Sequence, residues 1–328
     1  MATGKASDFT IYNEEFFTGL TEVVMQNANG FNAASLNAIR LVASTQKGDY
    51  EKSTFIDEIS SLTSRRDTTS VSTATDLAMT QSEQVAVKMN RKIGPVAQTL
   101  DAWRKIGASA ATMYLMFGRQ VGEAVTLDYF NSALTAVTAA LRGQSALLYD
   151  AEDNASTKTL NHTNLVDGLA KAGDGAGSIV AWVMHSKSYF DLMKNAISDN
   201  VFQVGGVTIT NGTVASLGRP IIISDASSLT ETSGSSATTY LTLGLRADAV
   251  AVIQSEAQEV ISDVVSGLEN IVMRLQGEYA MNIKVKGMAW DVTNGAANPT
   301  DAALGTSTNW DKVATDDRSL PGVMVVHN

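Results

Sequence analysis

The rhythm of apolar and polar positions changes several times along this chain, and each change predicts an element. The longest signal runs from Ser109 to Arg142. There Met113, Phe117, Val121, Val125, Phe130, Leu134, Val137 and Leu141 keep three-to-four spacing with one five-residue step. That spacing predicts a single helix about 50 Å long, ended by Gly143, with Gly118 and Gly122 marking a bend or a close contact. Two shorter helices are predicted before it. One covers Asn13 to Asn29 and carries Phe16, Phe17, Leu20, Val23 and Val24. The other covers Ala33 to Ala43, with Leu36, Ile39 and Val42 in phase.

Between them and the long helix the period drops to two. In Gln84 to Arg91 the side chains of Val85, Val87 and Met89 share one face, as in a half-buried strand. The stretch from Thr63 to Thr75 is polar and rich in Ser and Thr. Two strands around such a tip make a long hairpin projecting from the body. Ile93-Gly94-Pro95 bends the chain away from it, and Thr99 to Lys105 begins a helix.

The middle of the chain reads as a compact α/β unit. Asp150 to Asn161 is a polar linker, Thr163 caps a helix through Lys171, and Gly173 to Gly177 is a flexible turn. Ile179 to Met184 is an apolar strand. Ser186 caps the next helix, which carries Tyr189, Phe190, Leu192, Met193 and Ile197. Val204 to Ile209, with Gly205-Gly206 and Asn211-Gly212, is a hairpin. Leu217 to Asp225 contains a buried strand, and Leu229 to Thr239 is an exposed loop. Strands follow at Tyr240–Leu245, Ala249–Ile253, Val260–Val265 and Met281–Trp290. The closing Gly322 to Val326 is a strand that could pair within the body or with another chain.

Composition narrows the function. With 328 residues the chain can bury a sizeable core in one large domain or two or three smaller ones. Its formal net charge is −10, which argues against a dedicated nucleic-acid binder, because phosphate neutralisation supplies most of such affinity. There is no cysteine, so disulfides, thiolate nucleophiles and Cys-based metal sites are excluded. Met1 to Asp8 carries one Lys and no apolar core, and no run approaches a bilayer span. No secretory signal, removed propeptide or membrane partner is therefore expected.

Candidate chemistry does not assemble. His162, His185 and His327 lie far apart without metal-ligand spacing, and a capping or turn role suits them better than metal binding or acid–base work. Gly173 to Gly177 precedes a strand and lacks the Gly-Lys-Ser/Thr of a phosphate loop. Neither a catalytic residue, nor a cofactor, nor a metal site is expected. The one basic concentration is Arg65, Arg66, Lys88, Arg91 and Lys92, on the projecting hairpin. It is either a solvated, guarded edge or an inter-subunit ion-pair surface meeting an acidic patch on a neighbour.

The order of these pieces resembles the major capsid proteins of tailed bacteriophages with the Hong Kong 97-type fold. Leu62-Thr63-Ser64-Arg65-Arg66-Asp67 and Val87-Lys88-Met89-Asn90-Arg91-Lys92-Ile93-Gly94-Pro95 are similar to the extended loop. Ala181-Trp182-Val183-Met184-His185-Ser186-Lys187 and Leu217-Gly218-Arg219-Pro220-Ile221-Ile222 are similar to the axial domain. Gln276-Gly277-Glu278-Tyr279 and Val285-Lys286-Gly287-Met288-Ala289-Trp290-Asp291 are similar to returning strands of the peripheral domain.

The resemblance implies an α+β fold in six parts. These are an N-terminal arm (1–50), an extended β-hairpin loop with its connection (51–105) and the spine helix of a peripheral domain (106–155). An axial α/β domain (156–244), returning peripheral strands (245–295) and a C-terminal extension (296–328) complete it. It also implies a non-enzymatic major capsid subunit that self-assembles into an icosahedral shell around double-stranded DNA. Implied partners are copies of itself in pentamers and hexamers, a separate scaffold protein, a portal, a decoration protein and DNA contacted non-specifically. The implied location is the virion, with assembly in the host cytoplasm. The resemblance turns the basic group toward the inter-subunit reading. An encapsulin-like compartment shell, or an α/β enzyme, is the alternative.

Overall fold

The computed structural model describes residues 29, 31–43, 48–56, 62–73, 76–79, 81–99, 101, 105, 110–153, 158–201, 217–233, 237–265, 267 and 269–328. The helix expected over Asn13 to Asn29, the hairpin at Val204 to Ile209 with Asn211-Gly212, and most of Thr99 to Lys105 lie outside the described residues.

Two sheets and one long helix organise the chain. Helix α1 (Ala110–Arg142) runs unbroken through Gly118 and Gly122. Its first half is one-sided: Val121, Val125 and Tyr129 are buried while Met116, Glu123 and Leu127 face outward. From Ala136 to Leu141 every residue is buried, and the helix as a whole packs on strands of both sheets. Alanine at 136, 139 and 140 permits that close approach and favours the helix.

The first sheet has five strands: β1 (Ile39–Ala43), β2 (Tyr50–Ile56), β3 (Gln81–Thr99), β9 (Val250–Val265) and β10 (Val272–Val285), in the order β1-β9-β10-β3-β2. β1 corrects the short helix expected over Ala33 to Ala43. Leu36 and Asn37 both take positive φ, which ends the helical turn at once, and Ile39 to Ala43 then pairs in parallel with β9. A second correction concerns Ile93-Gly94-Pro95. The chain is not bent out of the sheet there; β3 continues to Thr99, and the irregularity is absorbed as a bulge opposite Leu275 and Gly277. β9 is also one strand rather than two. Its polar middle, Gln254 to Glu259, reads as a break in sequence but stays hydrogen-bonded to β10 through bulges.

The second sheet contains β4 (Leu148–Asp150), β5 (Ile179–Met184), β6 (Ile221–Ile223), β7 (Thr230–Ser233), β8 (Ala237–Arg246) and β13 (Gly322–His327). Its order is β4-β13-β8-β5-β6, with β7 beside β8. The loop expected at Leu229 to Thr239 is thus a β7–β8 hairpin anchored by the buried Leu229. Trp182 lies over Gly244, where an added Cβ would come within 2.8 Å of the indole and 2.9 Å of Val323. Only glycine allows β8 and β5 to sit under that ring.

The closing strand expected at Gly322 to Val326 pairs within the body, as a central strand of this sheet. β13 pairs in parallel with β4 and antiparallel with β8, and all six of its residues are buried. Between β10 and β13 in sequence, β11 (Met288–Trp290) and β12 (Trp310–Lys312) form a small ribbon joined by edge-to-face Trp290 and Trp310.

Two flanking helices are capped one or two residues earlier than expected. Helix α2 (His162–Ala170) is capped by Asn161, whose side chain accepts from the Asn164 N–H at 2.8 Å, and not by Thr163. Helix α3 (Ser186–Val201) begins at Ser186. The residue before it, His185, accepts from the Lys187 N–H through Nδ1 at 3.2 Å, so the imidazole does the capping. Short helices α4 (Val292–Gly295) and α5 (Asp301–Leu304) complete the connection to β12. Among the described residues no helix is long and apolar enough to cross a membrane.

Candidate assembly surface

β2 and β3 pair antiparallel from Tyr50 opposite Val87 to Ile56 opposite Gln81, and the described residues between them, 62–73 and 76–79, are all exposed. The hairpin is rooted firmly. Val85, Val87 and Met89 are buried on one face as alternation predicts, but Gln84, Ala86 and Lys88 are buried on the other. Gln84 satisfies its amide there by donating to the carbonyls of Val285 at 2.7 Å and Met288 at 3.2 Å. Burial of a polar side chain with its partners supplied costs little.

The five basic residues separate into two groups. Lys88 is buried and pairs with Glu256 on β9. Arg91 is half-buried at the root, where its guanidinium meets Asp128 at 3.2 Å, Ser132 at 3.1 Å and Asp301. Asp128 also accepts from the Tyr279 hydroxyl at 2.6 Å. This network ties β3, β10, α1 and α5 together. Burial, together with the neighbouring Asp128 carboxylate, pushes the Tyr279 phenol far above its ordinary range, so it remains a donor. Lys88 and Arg91 are therefore committed inside the subunit.

Arg65, Arg66 and Lys92 are exposed and form no ion pair among the described residues. Arg65 and Arg66 sit in the segment beyond the strands, ordered locally by Asp67. Its carboxylate accepts from the Thr69 N–H at 2.9 Å and hydroxyl at 2.7 Å, which lowers its pKa. Around them Ile56, Leu62, Val71, Leu77 and Met79 are each more than half exposed. Five large exposed apolar side chains at the end of β2 and in the segment after it are unusual for a surface that faces only water.

Two of the three histidines, His185 and His327, come closer than their sequence spacing suggests. The Tyr240 ring lies 5.0 Å from His185 and 6.2 Å from His327. His327 is fully buried, with Nε2 3.0 Å from the Thr242 hydroxyl. Burial pulls its pKa down to about 4, with Lys187 acting in the same direction and Asp191 and the Asn328 backbone opposing. Among the described residues no group of three His, Asp or Glu side chains could hold a metal ion. Sequence spacing could not reveal the Tyr240 cluster, because β8 and β13 meet only through long-range pairing.

A long helix packed on two sheets, with a rooted hairpin, is the arrangement expected of a Hong Kong 97-type capsid subunit. Solved structures bear this out at the level of fold. The capsid asymmetric unit of cyanophage Pam1 superposes with a TM-score of 0.52, at 13% identity over 88% of each chain. The capsid of Ralstonia phage GP4 gives 0.51, at 10% identity over 88% of this chain and 87% of that one. No curated protein sequence matches. The family model for Gp13-like proteins, described as major capsid protein 13-like, matches residues 8–324, and the chain belongs to that family. It is a major capsid subunit, a structural protein of the phage virion.

Proposed function

We propose that this subunit builds a closed icosahedral shell of pentamers and hexamers, and that its hairpin is the strap between neighbours. The observation that carries the proposal is the hairpin itself. Beyond the paired strands the described residues expose Leu62, Val71, Leu77 and Met79, and Arg65 and Arg66 form no ion pair among the described residues, so this part has little stabilising surface of its own. An adjacent copy is the natural support. Arg65, Arg66 and Lys92 then face acidic groups across the seam, while Lys88 and Arg91 hold the root in place. A separate scaffold protein and a portal guide assembly in the host cytoplasm, and double-stranded DNA is contacted without sequence preference. The net charge of −10 suits a container that does not grip its contents.

The test is the double charge reversal Arg65→Glu with Arg66→Glu. Each rim ion pair contributes about 0.2–1 kcal/mol, yet the loss repeats at every copy. The isolated subunit should melt at the wild-type temperature while shell formation, followed by sedimentation and electron microscopy, weakens or stops. Normal assembly with unchanged resistance to heat and salt would show the arginines to be merely solvated. DNA-filled particles support the capsid reading, whereas shells filled with a protein cargo would favour an encapsulin-like compartment.

A further inference from the structure

The turn Gly173–Ser178 has no phosphate-loop sequence, yet the fold brings three arginines from distant segments against it. Arg219 precedes β6, Arg246 ends β8 and Arg318 lies shortly before β13. Arg318 comes from the outside, where its guanidinium pairs with Asp174 at 2.6 Å and both side chains are exposed. Arg219 donates to the carbonyls of Ala176 at 3.1 Å and Ile179 at 2.7 Å. Arg246 comes from the inside and is only 2% exposed. A Cβ added at Gly175 would come 3.1 Å from the Nη2 of Arg246 and 3.6 Å from the Cγ of Arg318. The turn therefore passes between two arginines at a glycine.

Arg246 is held ready for a bidentate acceptor. Its Nη1 donates to the carbonyls of Asp317 at 2.7 Å, Leu320 at 3.0 Å and Arg318, which fixes the plane of the guanidinium. Its Nε and Nη2 are buried and have no partner among the described residues. Those two N–H groups lie on one edge of the guanidinium, spaced to take two oxygens of a single oxyanion. A buried charged donor left without an acceptor is costly. Asp316 and Asp317 are the neighbouring anions, but Asp317 pairs with Lys312, and Asp316 accepts from the Arg318 N–H at 2.9 Å. Four cations (Arg219, Arg246, Lys312 and Arg318) thus meet three carboxylates (Asp174, Asp316 and Asp317) around the turn. The local balance is positive in a chain of net charge −10. A carboxylate would spend both oxygens on the Arg246 edge, whereas a phosphate keeps others for Arg219 and Arg318. The turn has room to lift: nothing lies within 4 Å of a Cβ built at Gly173 or Gly177, and Gly173 takes a φ of +58°.

We infer that Arg246, Arg219 and Arg318 form a site for one phosphate group, covered by the turn Gly173–Ser178 and guarded by Asp174, whose carboxylate competes for the same cations. The phosphate is either the free ion or one unit of a nucleic-acid backbone. The site belongs to the single subunit and stands apart from how subunits join in a shell. Dispersed subunits are titrated with inorganic phosphate by calorimetry, and melting is followed in parallel. The wild type should bind saturably and melt at a higher temperature as phosphate is added, while chloride at matched ionic strength should do neither. Asp174→Asn should tighten binding several-fold by removing the competing anion. Arg246→Lys keeps a charge but loses the two-donor edge, and Gly175→Ala sets a methyl against Nη2. Both should weaken binding several-fold, and Gly175→Ala decides the matter should Arg246→Lys fail to fold. A short DNA duplex that displaces phosphate marks the backbone as the source, and one that leaves it bound marks the free ion. No saturable binding in either the wild type or Asp174→Asn would overturn the site, as would binding by Gly175→Ala and folded Arg246→Lys equal to that of the wild type.

Discussion

Acid should weaken the subunit through one buried ring. His327 ends β13 in full burial, against Tyr240 and Thr242, with Lys187 and Asp191 as the nearest charged influences. Unfolded, a histidine takes up its proton near pH 6.5; folded, His327 does so only near pH 4. Between these values the unfolded chain binds more protons than the native one. The contribution of this residue is therefore present in full above about pH 6.5 and is lost as the pH falls toward 4. A gap of roughly 2.5 pH units at 1.36 kcal/mol each gives about 3 kcal/mol, against a total stability of about 5–15 kcal/mol for ordinary domains. Carboxylates with lowered pKa, such as Asp67, Asp225 and Asp291, also titrate on the acid side, so the raw pH profile is mixed. The comparison with His327→Gln isolates the histidine, because glutamine keeps a donor for Thr242 and cannot titrate. Urea unfolding of dispersed subunits at pH 7.5, 6.5, 5.5 and 4.5 measures the difference. The wild type should lose about 2–3 kcal/mol more than the variant over that range. A difference between the two proteins that stays constant with pH would refute the buried neutral imidazole.

Three further outcomes follow from the packing. Arg91→Met removes the guanidinium from Asp128 and Asp301 and should cost about 1–3 kcal/mol in denaturant unfolding, because it leaves Asp128 short of a partner at the hairpin root. Gly244→Ala drives a Cβ into Trp182 and Val323 and should destabilise by about 1–3 kcal/mol, with a shift in tryptophan fluorescence as the independent readout. Asn161→Ala should cost about 1 kcal/mol in thermal unfolding, whereas Thr163→Ala should be close to neutral, because the cap bond to Asn164 belongs to Asn161.

Local pattern carried a good deal of this protein. The three-to-four spacing of Val121, Val125, Leu134, Val137 and Leu141 specified the long helix to within a residue at its start, and Gly143 marked its end. The apolar run Ile179 to Met184 and the alternation of Val85, Val87 and Met89 specified two buried strands, since side-chain periodicity answers directly to which face leaves water. The class of protein was legible too, through the order of short motifs along the chain.

What the pattern could not supply was pairing. Leu36, Ile39 and Val42 fit a helix by spacing, and only the positive φ at Leu36 and Asn37, with β9 waiting alongside, makes Ile39 to Ala43 a strand. Gly322 to His327 is an apolar strand by composition, but its place between β4 and β8 depends on residues far away in sequence. The basic residues show the same division. Their concentration was visible in the sequence, yet the pairing of Lys88 with Glu256, and of Arg91 with Asp128 and Asp301, exists only because distant strands and helices converge. A sequence records which side chains prefer to leave water; which partners they meet is settled by long-range strand pairing, whose energy belongs to two segments at once.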